Sequence, residues 1–215
     1  MGYHRAGFEV VGVDLAPQPR YPFEFHQRDA LAFVRKHGHE FDAIHASPPC
    51  QAHTALKTMW NATAHADLIP ATRRALKRIG VPFVIENVPG APLIDPVTLC
   101  GSMFGLETAD HRFELRRHRL FESSFPPAEL RCNHTRLTVY VYGHGGNEAD
   151  ARRFPKREAC SFSDRREAMG IDWTTSDELA QAIPPAYTEY VGAALMAALT
   201  QAHVAIAAAR LKAAA

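Results

Sequence analysis

Cys50 ends the run Ser47-Pro-Pro-Cys50, which directly follows the apolar segment 41–46. Two prolines fix the backbone and stop a helix from continuing through a strand end. A thiol placed there sits in a rigid loop and can be held against a substrate. A second group, Glu86, ends the apolar run Pro82-Phe-Val-Ile-Glu86 and leads into Asn87-Val88. A carboxyl at a buried strand end can keep its proton near neutrality, because burial disfavours the charged form. Together the two groups suit one reaction class: sulfur adds to an electron-poor heterocycle while the acid protonates the ring. Singly they have plainer readings. A lone cysteine is commonly core filler, and a strand-end glutamate can be a helix cap or an ion-pair partner.

These groups need strands to carry them. Residues 8–14 form a β-branched run after Gly7 that reads as a buried strand ending in an acid, Asp14. Residues 23–26 read as a second strand, closing at Asp29. Helical apolar spacing covers 30–37 and stops at Gly38. Residues 41–46 and 82–86 read as the strands before Cys50 and at Glu86. Between them, 66–79 is amphipathic and is followed by Gly80. Strands alternating with helices predict an α/β fold with a largely parallel sheet. Ligands in such folds bind at the carboxyl ends of strands, where Asp14, Cys50 and Glu86 fall. Beyond residue 121, Pro126-Pro127, the turn Gly143-His-Gly-Gly146 and clustered arginines predict loops and short strands. Short helices are expected at 165–170 and 177–182, and an Ala-rich helix with a frayed end from Tyr187.

With these elements in place, the chain resembles the DNA cytosine-C5 methyltransferases, in particular compact phage-type members. Pro48-Pro-Cys-Gln51 is similar to the family's nucleophile motif and Glu86-Asn-Val88 to its second catalytic motif. Leu115-Arg-Arg117-His-Arg119 resembles a Gln-x-Arg-x-Arg motif, with Leu115 in place of Gln. Residues 8–14 and Asp29 resemble the cofactor-side acids. Residues 165–170 and Ile183-Pro-Pro185 resemble the last two motifs, the latter without its Gly-Asn lead. The resemblance implies a Rossmann-like, S-adenosylmethionine-dependent methyltransferase fold acting on double-stranded DNA. It implies that a cytosine is flipped out of the duplex. Cys50 would then add to C6, Glu86 would protonate N3, and Arg117 and Arg119 would hold the base and its O2. Asp14, Asp29 and Pro48 would face the cofactor.

The family pattern begins with a strand and a Phe-x-Gly-x-Gly turn, whereas these residues open at Met1-Gly-Tyr-His-Arg-Ala-Gly7, similar to the helix that follows that turn. The fold is therefore expected to lack its first strand, which would lie between the strands of Val10 and Ile44. Either an upstream segment or a partner chain carries the missing turn, or cofactor binding has been lost. In both cases these 215 residues are expected to bind S-adenosylmethionine weakly or not at all. A catalytically silent DNA-binding relative is the competing function, and methylation of RNA or a free nucleotide is a third. The intact Cys50, Glu86, Arg117 and Arg119 set argues against a pure binder, which has no need of the thiol.

Charge distribution bears on the partner. Residues 112–166 hold twelve Arg or Lys against seven Asp or Glu, +5 in a chain of net +1, which leaves −4 elsewhere. Such asymmetry can guide a polyanion to one face. Arg152, Arg153, Lys156 and Arg157 are expected to meet phosphates, and Trp60 and Trp173 to pack rather than stack on bases. The expected organisation is a catalytic core over 1–124, a short target-recognition insertion over 125–160, and a return to the core over 161–215. The start has no signal-peptide pattern and no apolar run nears the ~20 residues of a membrane span, so a cytoplasmic protein is expected. Four scattered cysteines in a reducing compartment do not suggest disulfides. Cys132-x-His134 with His144 and Cys160 lacks a tight Cys-x₂₋₄-Cys spacing, so no metal is expected; Cys100 is expected to be core.

Overall fold

The strand Phe83–Asn87 is buried at every position, as a short apolar run covered on both faces requires. It is β4 of a computed structural model that describes residues 1–51, 53, 66–125, 127–141 and 160–213. It pairs in parallel with β3 (Ile44–Ala46) and antiparallel with β7 (Arg119–Ser123); β7 in turn pairs antiparallel with β5 (Val97–Leu99). The sheet order is β3-β4-β7-β5. Two further parallel pairs stand apart from it: β1 (Val11–Asp14) with β2 (Glu24–Gln27), and β6 (Phe113–Leu115) with β8 (Leu137–Val139). The protein is thus mixed α/β. The expectation of a largely parallel sheet fails at β7, for a local reason. A parallel neighbour needs a long crossover, usually a helix, and between β4 and β7 the one helical element is a 3₁₀ turn at Gly101–Phe104.

The helices are α1 (Gly2–Arg5), α2 (Ala30–His37), α3 (Ile69–Ile79), α4 (Phe162–Met169), α5 (Ser176–Gln181) and α6 (Pro185–Ala213). Asp29 caps α2, its Oδ1 accepting from Ala32 N at 2.7 Å, and Gly80 ends α3 at φ 84°, a conformation open to glycine. Arg73 on α3 clamps Glu122 on β7 through two hydrogen bonds of 2.7 and 2.6 Å, tying helix to sheet. Tyr187, Val191 and Leu195 of α6 pack on Val84, Leu99 and Phe121. Gly192 lets α1 approach: a Cβ there would lie 2.8 Å from that of Ala6.

A second core joins Phe113, Leu115, Val139, Val141, Cys160 and Met169. Residues from all three expected segments therefore share one core. Residues 142–159, with the turn at Gly143, His144 and the four expected phosphate contacts, lie outside the described residues, as does Trp60. One expectation about membranes is corrected. Among the described residues α6, 29 residues long, is long and apolar enough to cross a membrane by length and composition. Thr200, Gln201 and His203 interrupt its apolar course, and its first half is packed into the core.

Candidate active site

The parallel register of β3 and β4 sets Ile44 opposite Phe83, His45 opposite Val84 and Ala46 opposite Ile85. One step further along, Ser47 meets Glu86 and Pro48 meets Asn87. The side chains make that contact: Ser47 hydrogen-bonds the Glu86 carboxyl, and Asn87 Nδ2 donates to Pro48 O at 2.9 Å. Asn87 Oδ1 also accepts from Val88 N at 2.9 Å, so the loop after β4 is locked as well. Cys50 lies three residues beyond the partner of Glu86, at most about 10 Å along an extended chain. Its carbonyl accepts from His53 N at 2.8 Å, which turns the chain there. The Cys50 thiol is free and half-buried.

Glu86 is 5% exposed, and Arg119 Nε lies 3.1 Å from its Oε1. Burial raises the Glu86 pKa above the ordinary glutamate value; the nearby Arg119 charge, the Ser47 hydrogen bond and Arg117 pull the other way without cancelling it. The carboxyl is thereby biased towards carrying a proton. Behind it runs a hydrogen-bonded chain that sequence reasoning missed. Tyr3 Oη lies 2.7 Å from His45 Nδ1, and His45 Nε2 lies 3.1 Å from Ser47 Oγ. Burial pushes the Tyr3 phenol up and the His45 imidazole down to about 4. Tyr3 is thereby protonated and His45 neutral, so the imidazole donates from one ring nitrogen and accepts at the other along this row. Only the pairing of α1 with β3 reveals this relay, because Tyr3 and Glu86 are far apart in sequence.

The two expected base-holding arginines separate. Arg119, at the start of β7, points to Glu86. Arg117 is 1% exposed and donates to the carbonyls of Val141, Ala180 (2.6 Å) and Ala182 (3.0 Å). Tyr187 Oη donates to the Arg117 carbonyl at 2.7 Å. Arg117 therefore braces the link between β6 and β7 against α5 and α6, while its charge also acts on Glu86. Leu115, in place of the expected Gln, is fully buried and cannot reach a ligand.

Asp14, Asp29 and Pro48, expected to face one cofactor, line one cavity of about 360 Å³ between β1, α2, β3 and α3. Its walls are mainly apolar, with Val13, Phe33, Ile44 and Leu76 among them. Asp14 Oδ1 accepts from Ala16 N at 2.8 Å and Asp29 Oδ1 caps α2. No backbone hydrogen bond between β1 and β3 is present among the described residues; the cavity occupies the space between these strands. Comparison with protein-family models finds no match, and no curated protein matches the chain.

Proposed function

We propose that the protein is a DNA cytosine-C5 methyltransferase with a Rossmann-like fold, in which Cys50 is the nucleophile and Glu86 the proton donor. The observation that carries the reading is the β3–β4 register, locked by the Asn87–Pro48 hydrogen bond of 2.9 Å. It sets a thiol-bearing loop beside a buried carboxyl whose pKa is raised by burial. A cytosine extruded from the duplex would lie between them. The Cys50 thiolate forms a bond to C6, the C5–C6 π electrons shift into the ring, and N3 takes the proton of Glu86. Arg119, beside Glu86, steadies the base and its carbonyl oxygen, while Arg117 holds the link that presents Arg119.

The cavity bounded by Asp14, Asp29 and Pro48 fits the nucleoside part of S-adenosylmethionine. Its volume is within the roughly 300–1,000 Å³ of small-molecule sites, and such sites combine apolar walls with few polar groups. The two carboxylates suit hydroxyl and amino donors. When bound, S-adenosylmethionine supplies the methyl group that C5 takes. Loss of the C5 proton to water then restores the double bond and expels the Cys50 thiolate, and N3 returns its proton to Glu86.

The direct test is methyl incorporation into duplex DNA, read by bisulfite sequencing, with the chain alone and with a strand-plus-glycine-turn segment fused upstream. Cytosine methylation by either protein, lost in Cys50→Ser, supports the reading. Duplex binding without methylation by either one favours the silent DNA-binding relative.

A further inference from the structure

Away from Cys50, three separate stretches bring Cys100, His118, Cys132 and His134 together. One ligand atom from each lies within 4.8 Å of all the others. Cys100 Sγ is 3.8 Å from His134 Nε2, and His118 Nε2 is 3.3 Å from Cys132 Sγ. The two imidazoles stand edge to face, with centroids 5.4 Å apart at 67°. A tetrahedral zinc ion with Zn–N of about 2.0 Å and Zn–S of about 2.3 Å has ligand–ligand edges of about 3.3–3.8 Å, and both measured separations fall there.

We propose that Cys100, His118, Cys132 and His134 form a structural Zn²⁺ site. Two thiolates and two imidazoles are the donor set that zinc prefers in tetrahedral sites. Two thiolate charges neutralise the ion, which suits a site whose Cys100 is fully buried. The imidazole of His134 is already oriented for the role. Its Nδ1 lies 2.9 Å from Glu114 Oε1, and Glu114 is itself held by Thr135 N and Arg136 N through Oε2. A carboxylate on one ring nitrogen fixes the tautomer and leaves the lone pair of the other for the metal, the usual support of a ligating histidine.

Four protein ligands leave no open position, so the ion would hold structure rather than activate water. It would fasten the irregular segment around Cys132 and His134 to the turn that starts at Gly101 and to the link between β6 and β7. His118 stands between Arg117 and Arg119, so the same ion would steady that link. Cys160, weighed with Cys132 and His134 from sequence, lies apart in the second core, and His144 lies outside the described residues. Binding releases two thiol protons to solvent and involves no redox change. The inference does not rest on the proposed methyl transfer.

The test is metal content after purification from zinc-supplemented culture under reducing conditions, followed by chelator stripping and titration with Co²⁺. About one zinc per chain is expected, with thiolate-to-cobalt charge transfer and tetrahedral d–d bands in the Co²⁺ form. Cys160→Ser should keep both signals, and Cys132→Ser/His134→Ala should lose them. Glu114→Gln should weaken zinc binding about 10–100-fold. Because the double variant could misfold, the cobalt spectrum of the unaltered chain decides. Metal-free protein with no tetrahedral spectrum, a Cys100–Cys132 disulfide in place of bound metal, or full zinc retention in the double variant would overturn the proposal.

Discussion

Glu86 illustrates how one side chain's surroundings set its chemistry. Burial raises its pKa while Arg119, at 3.1 Å, opposes the rise. A proton donor works below its pKa, so the methylation rate should fall as pH climbs through the folded Glu86 value. Removing the opposing charge in Arg119→Met should move that falling limb to higher pH, as a pH–rate profile would show; a shift to lower pH would count against the assignment. Glu86→Gln should cut turnover by about 10²–10⁴-fold, the usual contribution of a positioned acid. His45 gives a stability prediction. Its pKa drops from about 6.5 in the unfolded chain to about 4 in the fold, by burial. Between those values the unfolded state binds the extra proton, so stability is intact above about pH 6.5 and declines as pH falls towards 4. The loss is on the order of 2–3 kcal/mol. Urea midpoints across that window should slope less in His45→Gln than in the unaltered chain.

The strand and helix pairings show what a sequence can and cannot reveal. α2 was legible to the residue because Asp29 caps it and Gly38 ends it, both local signals. β3 and β4 were legible as apolar runs, and the two strands do lie side by side in parallel. β5, β6 and β8, at three residues each, are too short to show a period. β7 joins the sheet antiparallel, which no local pattern announces. Of the metal-ligand set only the pair Cys132 and His134 was legible, because Cys100 and His118 come from separate stretches and spacing rules find only neighbours in sequence. The Arg73–Glu122 clamp is also non-local, and it is testable. Burial alone would push Glu122 up, yet hydrogen bonds from Arg73 and Ile94 hold its carboxyl below the ordinary range. Arg73→Met should therefore destabilise by about 3 kcal/mol or more, as loss of one partner of a buried pair does. Since a depressed carboxyl stabilises only above its unfolded pKa, the penalty should shrink as pH falls through the acid range. Chemical denaturation at pH 7 and pH 4 would show both effects.

Taken as a whole, the described residues pack into three apolar clusters, two of which bear on the site. One, built on β4, β7 and α6, carries the thiol loop and the buried acid; the other, built on β6, β8 and α4, presents the arginine link through Arg117. The cavity between β1 and β3 lies against the remaining cluster, through Val34, Ile44, Ala46 and Leu76, where the two sheets do not pair. For that reason these 215 residues are expected to bind S-adenosylmethionine more weakly than micromolar in calorimetric titration, and to bind it more tightly once a strand and glycine turn are supplied. Cys50 adding to a pyrimidine is the step on which the proposed chemistry turns, and covalent trapping reads it directly. Duplex DNA carrying 5-fluorocytosine, incubated with S-adenosylmethionine and the protein fused to the glycine-turn segment, should yield an adduct whose mass maps to the Cys50 peptide and which Cys50→Ser abolishes. An adduct on any other residue, or none with protein that binds both DNA and cofactor, would refute Cys50 as the nucleophile.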